Sequence, residues 1–287
     1  DVNLSGTGVV GLGFDSASKL QTFRGAFNGG NHKITLAIGE PYGIRDNKPI
    51  ASDDTSPGNG KIYRHSRLGL FAAIGGGATV NDLTVDGSIK FDNGLGVDAG
   101  SLAATITGNA TLNGVTCSAA ITCDDTFGND ANIGGLAGSV RGGGTVSFGS
   151  NTKAQANIGA VGTSDGNNNA ATLRGNTRIG GAVGYVADVV ATANVASLEI
   201  GGKITASDSA SDKKAQVGGF IGCIAQGTAK NTTKVNITGL SFDSFSMAVG
   251  KNGDAKKGAG GLLGYSWGNA VVTIGDDGKN TSDGTCA

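Results

Sequence analysis

Apolar residues alternate with small or polar ones in short runs along this chain, and the runs recur. Leu136, Gly138 and Val140 share one parity, as do Ala182, Gly184 and Val186, and Phe220, Gly222 and Ile224. Leu70, Ala72 and Ile74 line up upstream with Leu102, Ala104 and Ile106. A period of two is the signature of a β-strand. Small residues hold the middle of this set, as expected where a bulky side chain would strike an opposite wall. The other parity carries Phe71, Val183, Ile221 and Leu263 at one position and Ser139, Tyr185, Cys223 and Tyr265 at the next. A strand apolar on both faces is expected to be covered on both. A second strand follows in each unit. Leu83, Val85, Gly87, Ile89 and Phe91 alternate, and Val115, Cys117, Ala119, Ile121 and Cys123 repeat them at an offset of 32 (115 − 83). Leu198, Ile200, Gly202 and Ile204 keep the rhythm, and segments around Val235, Ile237, Leu240 and Phe242, and around Val272 and Ile274, are looser versions. No segment carries a helical period.

A glycine phrase marks the repeat. It reads Gly134-Gly135-Leu136-Ala137-Gly138, and returns at Gly180, Gly218 and Gly260, with looser copies at Gly69 and Gly100. The successive differences between first positions 69, 100, 134, 180, 218 and 260 are 31, 34, 46, 38 and 42. Self-similarity at tens of residues indicates a stacked repeat. The expected fold is all-β: a right-handed parallel β-helix, a solenoid with glycine-rich turns and inserted loops. A barrel or sandwich has no need of one phrase at one place, and a propeller blade carries a more uniform four-strand pattern. Residues 1–287 are expected to form a single repeat domain, with 1–67 an N-terminal coil bearing a loop at 41–67, and 68–287 successive coils.

Composition narrows the reading. Gly supplies 53 of 287 residues, but there is no Gly-x-y period and Pro numbers 3, which excludes collagen. Each Gly costs up to about 1 kcal/mol in a regular element, so this many must answer a geometric demand. Net charge is −1 with no basic stripe, which argues against nucleic acid as a partner. No apolar run reaches the length of a membrane span. The chain opens on Asp1 within repeat-like text and is expected to be an excised segment of a longer protein. Cys117, Cys123, Cys223 and Cys286 form no Cys-x-x-Cys pair, so neither zinc nor a disulfide scaffold is signalled. Cys117 and Cys123 are read as small inward-facing residues.

Candidate chemistry is sparse. His32 lacks a His-Glu-x-x-His setting and is read as a turn residue whose ring bonds backbone. Calcium wants six to eight oxygens, and Asp124, Asp125, Asn129 and Asp130 form the densest oxygen-rich loop; Ca²⁺ is the one cofactor considered, and solvated carboxylates are the plainer reading. Trp267 follows Tyr265, with Tyr185 at the equivalent position of an earlier unit. Stacked rings could make a sugar platform, against wall packing as the plainer reading. The excursion at 41–67 carries Tyr42 and Arg45, and long loops on rigid scaffolds are where binding resides.

The opening Asp1-Val2-Asn3-Leu4 leads to Phe23-Arg24-Gly25-Ala26-Phe27-Asn28-Gly29-Gly30-Asn31-His32-Lys33-Ile34, then to Gly69-Leu70-Phe71. This succession resembles the GLUG-repeat family of bacterial surface proteins, most strongly over residues 1–140. The resemblance implies an extracellular, wall-attached setting like that of adhesins and IgA-protease-type precursors, and it carries no catalytic residue onto this chain. The expected function is therefore non-enzymatic: a rigid spacer and adhesin-like surface for a host or matrix protein or glycan, flanked by neighbouring domains of its parent. The alternative is a carbohydrate-active enzyme, a polysaccharide lyase or glycoside hydrolase with a groove along the helix.

Overall fold

The computed structural model describes residues 1–5, 12, 21–39, 44–45, 48–49, 67–92, 97–124, 131–162, 176–187, 192–208, 214–225, 232–249, 258–267 and 270–275. Within them the chain is all β-structure, and its long sheets are built of parallel strands. A short sheet contains Arg67–Leu68, Asp98–Gly100, Asn132–Gly134, Asn176–Gly180, Lys214–Gly218 and Gly258–Gly260. A middle sheet contains Phe71–Gly75, Ala103–Thr107, Ala137–Arg141, Val183–Ala187, Ile221–Ala225 and Leu263–Trp267. A wide, 12-stranded sheet takes the rest, apart from a small antiparallel pair, Ile44–Arg45 with Lys48–Pro49. Each repeat visits the short, middle and wide sheets in that order. The sheets are open ladders, and their arrangement is compatible with a parallel β-helix.

The register repeats the spacing of the glycine phrase. Arg67 pairs Asp98, Asp98 pairs Asn132, Asn132 pairs Arg178, Arg178 pairs Gln216 and Gln216 pairs Gly258. Those offsets are again 31, 34, 46, 38 and 42, the successive differences of the paired numbers. In the wide sheet Val115 sits beside Leu83 and Cys117 beside Val85, while Ile121 meets Ile89 and Cys123 meets Phe91. Insertions between strands therefore leave the stacking untouched.

The phrase does not open a strand, as its alternation suggested. It spans a corner. Gly134 closes the short-sheet strand, Gly135-Leu136 turn, and Ala137 begins the middle strand. The corner is sharp, which explains the glycines: a Cβ on Gly138 would lie 2.5 Å from Ala99 N and 2.9 Å from Asn132 O. Gly222 meets Ile179 N at 2.6 Å in the same way. Two backbones approach here more closely than any side chain permits.

Leu68, Leu102, Ile133, Leu136, Ile179, Val217 and Phe220 join one continuous apolar core with Leu83, Val115, Ile121, Val146 and Ile200 of the wide sheet. The middle strand Phe71–Gly75 is buried on both faces, as expected from its two apolar parities. The second strand of each unit also persists where the sequence pattern had faded, as Thr152–Gly162 and Leu240–Val249. Equal positions on neighbouring repeats pair their amides: Asn113 Nδ2 donates to Asn81 Oδ1 at 3.1 Å, and Asn236 Nδ2 to Asn194 Oδ1 at 3.1 Å.

His32 lies within the strand Ala26–Ile38, past an irregularity in register between Asn28 and His32 and directly after Gly30 and Asn31, both at positive φ. Its ring meets Asp1, with Nδ1 at 3.5 Å from the N-terminal amino group and 3.6 Å from a carboxylate oxygen.

Candidate functional site

Parallel stacking turns one sequence position into a column. The position two residues before each of the first five glycine phrases holds Arg67, Asp98, Asn132, Arg178 and Gln216 on successive short strands, and Gly258 takes it before the sixth. Facing it on the middle strands is a column of Ala73, Thr105, Ser139, Tyr185, Cys223 and Tyr265. The tight glycine corner brings the two columns together into a polar seam.

Asp98 anchors it, with 2% of its surface exposed. Its carboxylate accepts from Thr105 Oγ1 at 3.0 Å and Asn132 Nδ2 at 2.6 Å. The Arg67 guanidinium pairs with it directly, and Arg141 Nη2 lies 3.6 Å away. Asn132 Oδ1 accepts from Arg178 Nη1 at 3.0 Å. Arg141 Nε donates to Ser139 Oγ at 3.1 Å. The Tyr185 ring meets two cations, with Arg178 at 4.2 Å and Arg141 at 5.1 Å, measured from guanidinium carbon to ring centroid. Burial, and then the nearby Arg141, pulls the Arg67 guanidinium down to about 10, so it stays charged at neutral pH. A buried carboxylate is tolerated when paired and hydrogen-bonded, and here donors from neighbouring repeats share that task. With its oxygens already engaged, Asp98 is placed to lock repeats together rather than to take a proton from a substrate.

A second feature lies on the wide-sheet side. Asn151, Lys153, Ser197, Glu199, Gly239 and Ser241 line a cavity of about 310 Å³. Lys153 Nζ bridges both Glu199 oxygens, at 3.0 and 3.1 Å. These residues occupy equivalent places on neighbouring repeats, so the cavity runs across the strands.

The residues expected from sequence to bind ligand are dispersed. Tyr42 lies outside the described residues. Arg45 belongs to the small antiparallel pair. Tyr185 is buried, and the rung of Cys223 separates it from the exposed Tyr265. That places the two rings about two strand spacings apart, roughly 10 Å. Trp267 lies on the same strand as Tyr265, beside Ala225. Asp124 ends the strand Ala120–Asp124, while Asp125, Asn129 and Asp130 lie outside the described residues. Among the described residues no three His, Cys, Asp or Glu side chains are grouped to hold a metal ion. Cys117, Cys123 and Cys223 are buried. Burial raises the Cys117 thiol to about 12, which leaves it inert at neutral pH.

Sequence reading missed the seam. Its signal was present: a polar residue two places before each of five glycine phrases. Comparison of the chain with protein-family models, with curated proteins and with solved structures finds no match in any of the three.

Proposed function

We propose that this chain is a right-handed parallel β-helical module of a bacterial surface protein, a stiff non-catalytic spacer that presents an adhesive flank. The observation that carries this reading is the unbroken register of both six-stranded sheets. Six strands give five spacings of about 4.8 Å, roughly 24 Å of continuously hydrogen-bonded stack. Right-handed winding is the form in which a crossover between parallel strands is almost always made. The likeness of the first 140 residues to GLUG repeats supports an extracellular setting.

The flank at Lys153 and Glu199 suits a ligand met by many modest polar contacts, such as a host or matrix glycan. Its charged pair and hydroxyls offer donors and acceptors spaced by the strand repeat. A carbohydrate-active enzyme would need catalytic carboxylates on such a flank, and Glu199 is engaged with Lys153 there.

The test is a glycan array run alongside a polysaccharide hydrolysis assay. Retention of a glycan without turnover is expected, and the double substitution Lys153→Ala with Glu199→Ala should weaken it about tenfold, near 1.4 kcal/mol. Cleavage of a polysaccharide would replace this reading with the enzymatic one.

A further inference from the structure

The cavity beside Lys153 and Glu199 constrains what can fill it. Lys153 pairs with Glu199 and Glu199 with Ser241, so these three side chains stand on successive strands of the wide sheet. Two residues earlier on the same strands come Asn151, Ser197 and Gly239, and half-buried Leu240 completes the lining. Gly239 keeps the floor low: a Cβ there would lie 2.1 Å from Ala196 O, so only bare backbone fits. The cavity is therefore a trough along the stack axis, crossing three strands and two spacings, roughly 10 Å in all. Its volume of about 310 Å³ suits a ligand of about two sugar rings rather than a large one.

Charge selects the class of ligand. Lys153 and Glu199 are the charged residues of the lining, and Lys153 Nζ meets both carboxylate oxygens at 3.0 and 3.1 Å. Their side chains remain 43% and 29% exposed, within reach of a ligand. A uronate or sulfate could take Lys153 only by displacing Glu199 and then lying beside its charge. An amino sugar would meet the converse difficulty at Lys153. A neutral hydroxyl does neither. It donates to a remaining lone pair of the carboxylate or accepts from the ammonium, and the pair stays whole. Asn151, Ser197 and Ser241 add uncharged donors and acceptors around it.

The strand period selects the shape. Polar groups here recur at about 4.8 Å, from strand to strand. A β-1,4-linked pyranose chain advances by nearly that distance per sugar. Successive rings of an extended chain thus meet successive strands, whereas a branched glycan loses the match after one ring.

We propose that the trough binds a neutral, extended, β-linked polysaccharide running along the stack. This rests on the adhesive reading of the same flank and narrows its ligand to one class.

Isothermal titration calorimetry on the 1–287 chain tests it. The probes are β-1,4-linked oligomers of glucose and of N-acetylglucosamine, from one to six units, and the β-1,4-linked glucuronate oligomers of equal length. Affinity for a neutral oligomer should rise about tenfold or more from one unit to two, and change less than about twofold from three to six. The glucuronate oligomers should bind about tenfold more weakly than the neutral ones. Glu199→Gln releases Lys153 at an exposed site, and should tighten glucuronate binding about tenfold with an unchanged far-ultraviolet spectrum. A single sugar bound as tightly as the hexamer would overturn the proposal, as would a native chain that prefers glucuronate, or a preference indifferent to Glu199→Gln. In those cases the adhesive reading survives. If no oligomer binds, the proposal is also overturned; a glycan of another class on the array then leaves the adhesive reading standing, and an empty array ends both.

Discussion

At the scale of single residues, backbone approach decides which glycines matter. Gly138 faces backbone atoms 2.5–2.9 Å from any added Cβ, and those atoms belong to three other strands, Asp98–Gly100, Ala103–Thr107 and Asn132–Gly134, that cannot yield independently. Gly143 faces nothing within 4 Å. Gly138→Ala should therefore cost about 3 kcal/mol, as overpacking does, while Gly143→Ala should stay within about 0.5 kcal/mol, both read from denaturant titration. Equal effects would mean that the corner is looser than its geometry. Asp86 gives a pH signature. The backbone N–H of Gly87 holds its carboxyl below the usual value of 3.8, against desolvation, with help from the Ser118 hydroxyl and Lys33. A carboxyl depressed in the fold contributes stability above its unfolded pKa and loses it as pH falls through the folded one. The melting temperature should thus fall more steeply below pH 3.8 in the native sequence than in Asp86→Asn. Parallel acid limbs for the two proteins would refute this.

At the scale of elements, the polar seam fastens strands whose own pairing is brief. The short-sheet strands Asp98–Gly100 and Asn132–Gly134 are 3 residues each, too short to fix register by backbone bonds alone. Asp98 ties its own strand to Arg67 before it, Asn132 after it and Thr105 beside it. Asp98→Ala leaves Arg67 and Arg141 with no carboxylate between them, and should cost about 3–5 kcal/mol. Adding Arg67→Ala should recover part of that loss, so the double-mutant cycle should be strongly non-additive. Additive losses would assign the seam no role in joining repeats. The strands of the wide sheet need no such help, since Thr152–Gly162 pairs along its whole length with Leu198–Asp208.

At the scale of the molecule, each repeat leans on its neighbours, and the last has a neighbour on one side only among the described residues. Stability in such stacks is a sum of repeat and interface terms, so an end with fewer interfaces opens first. Trp267, the sole Trp, lies on the terminal strand Leu263–Trp267 and reports on that end. Its fluorescence should change at lower denaturant than the far-ultraviolet signal of the whole stack. Coincident transitions would mean that the stack unfolds as one unit.

The sequence by itself determined the repeat and its register. Stacked parallel strands demand like residues at like positions, so the spacings of the glycine phrase reappear as strand offsets, and Leu83 with Val115 could be paired from the text alone. It also determined that the inner middle strands, such as Phe71–Gly75 and Ile221–Ala225, are covered on both faces, because both parities are apolar. Tertiary structure alone decided that the glycine phrase is a corner between two sheets, because close backbone approach leaves no trace in alternation. It alone gathered Arg67 and Arg141 at Asp98, and Arg141 and Arg178 at Tyr185, since a charge constellation spread over distant repeats has no local signature. And it alone set apart Val272 and Ile274, whose pattern matches that of buried residues; their exposure follows from the absence of a further strand above them among the described residues, a property of position in the stack rather than of the side chains themselves.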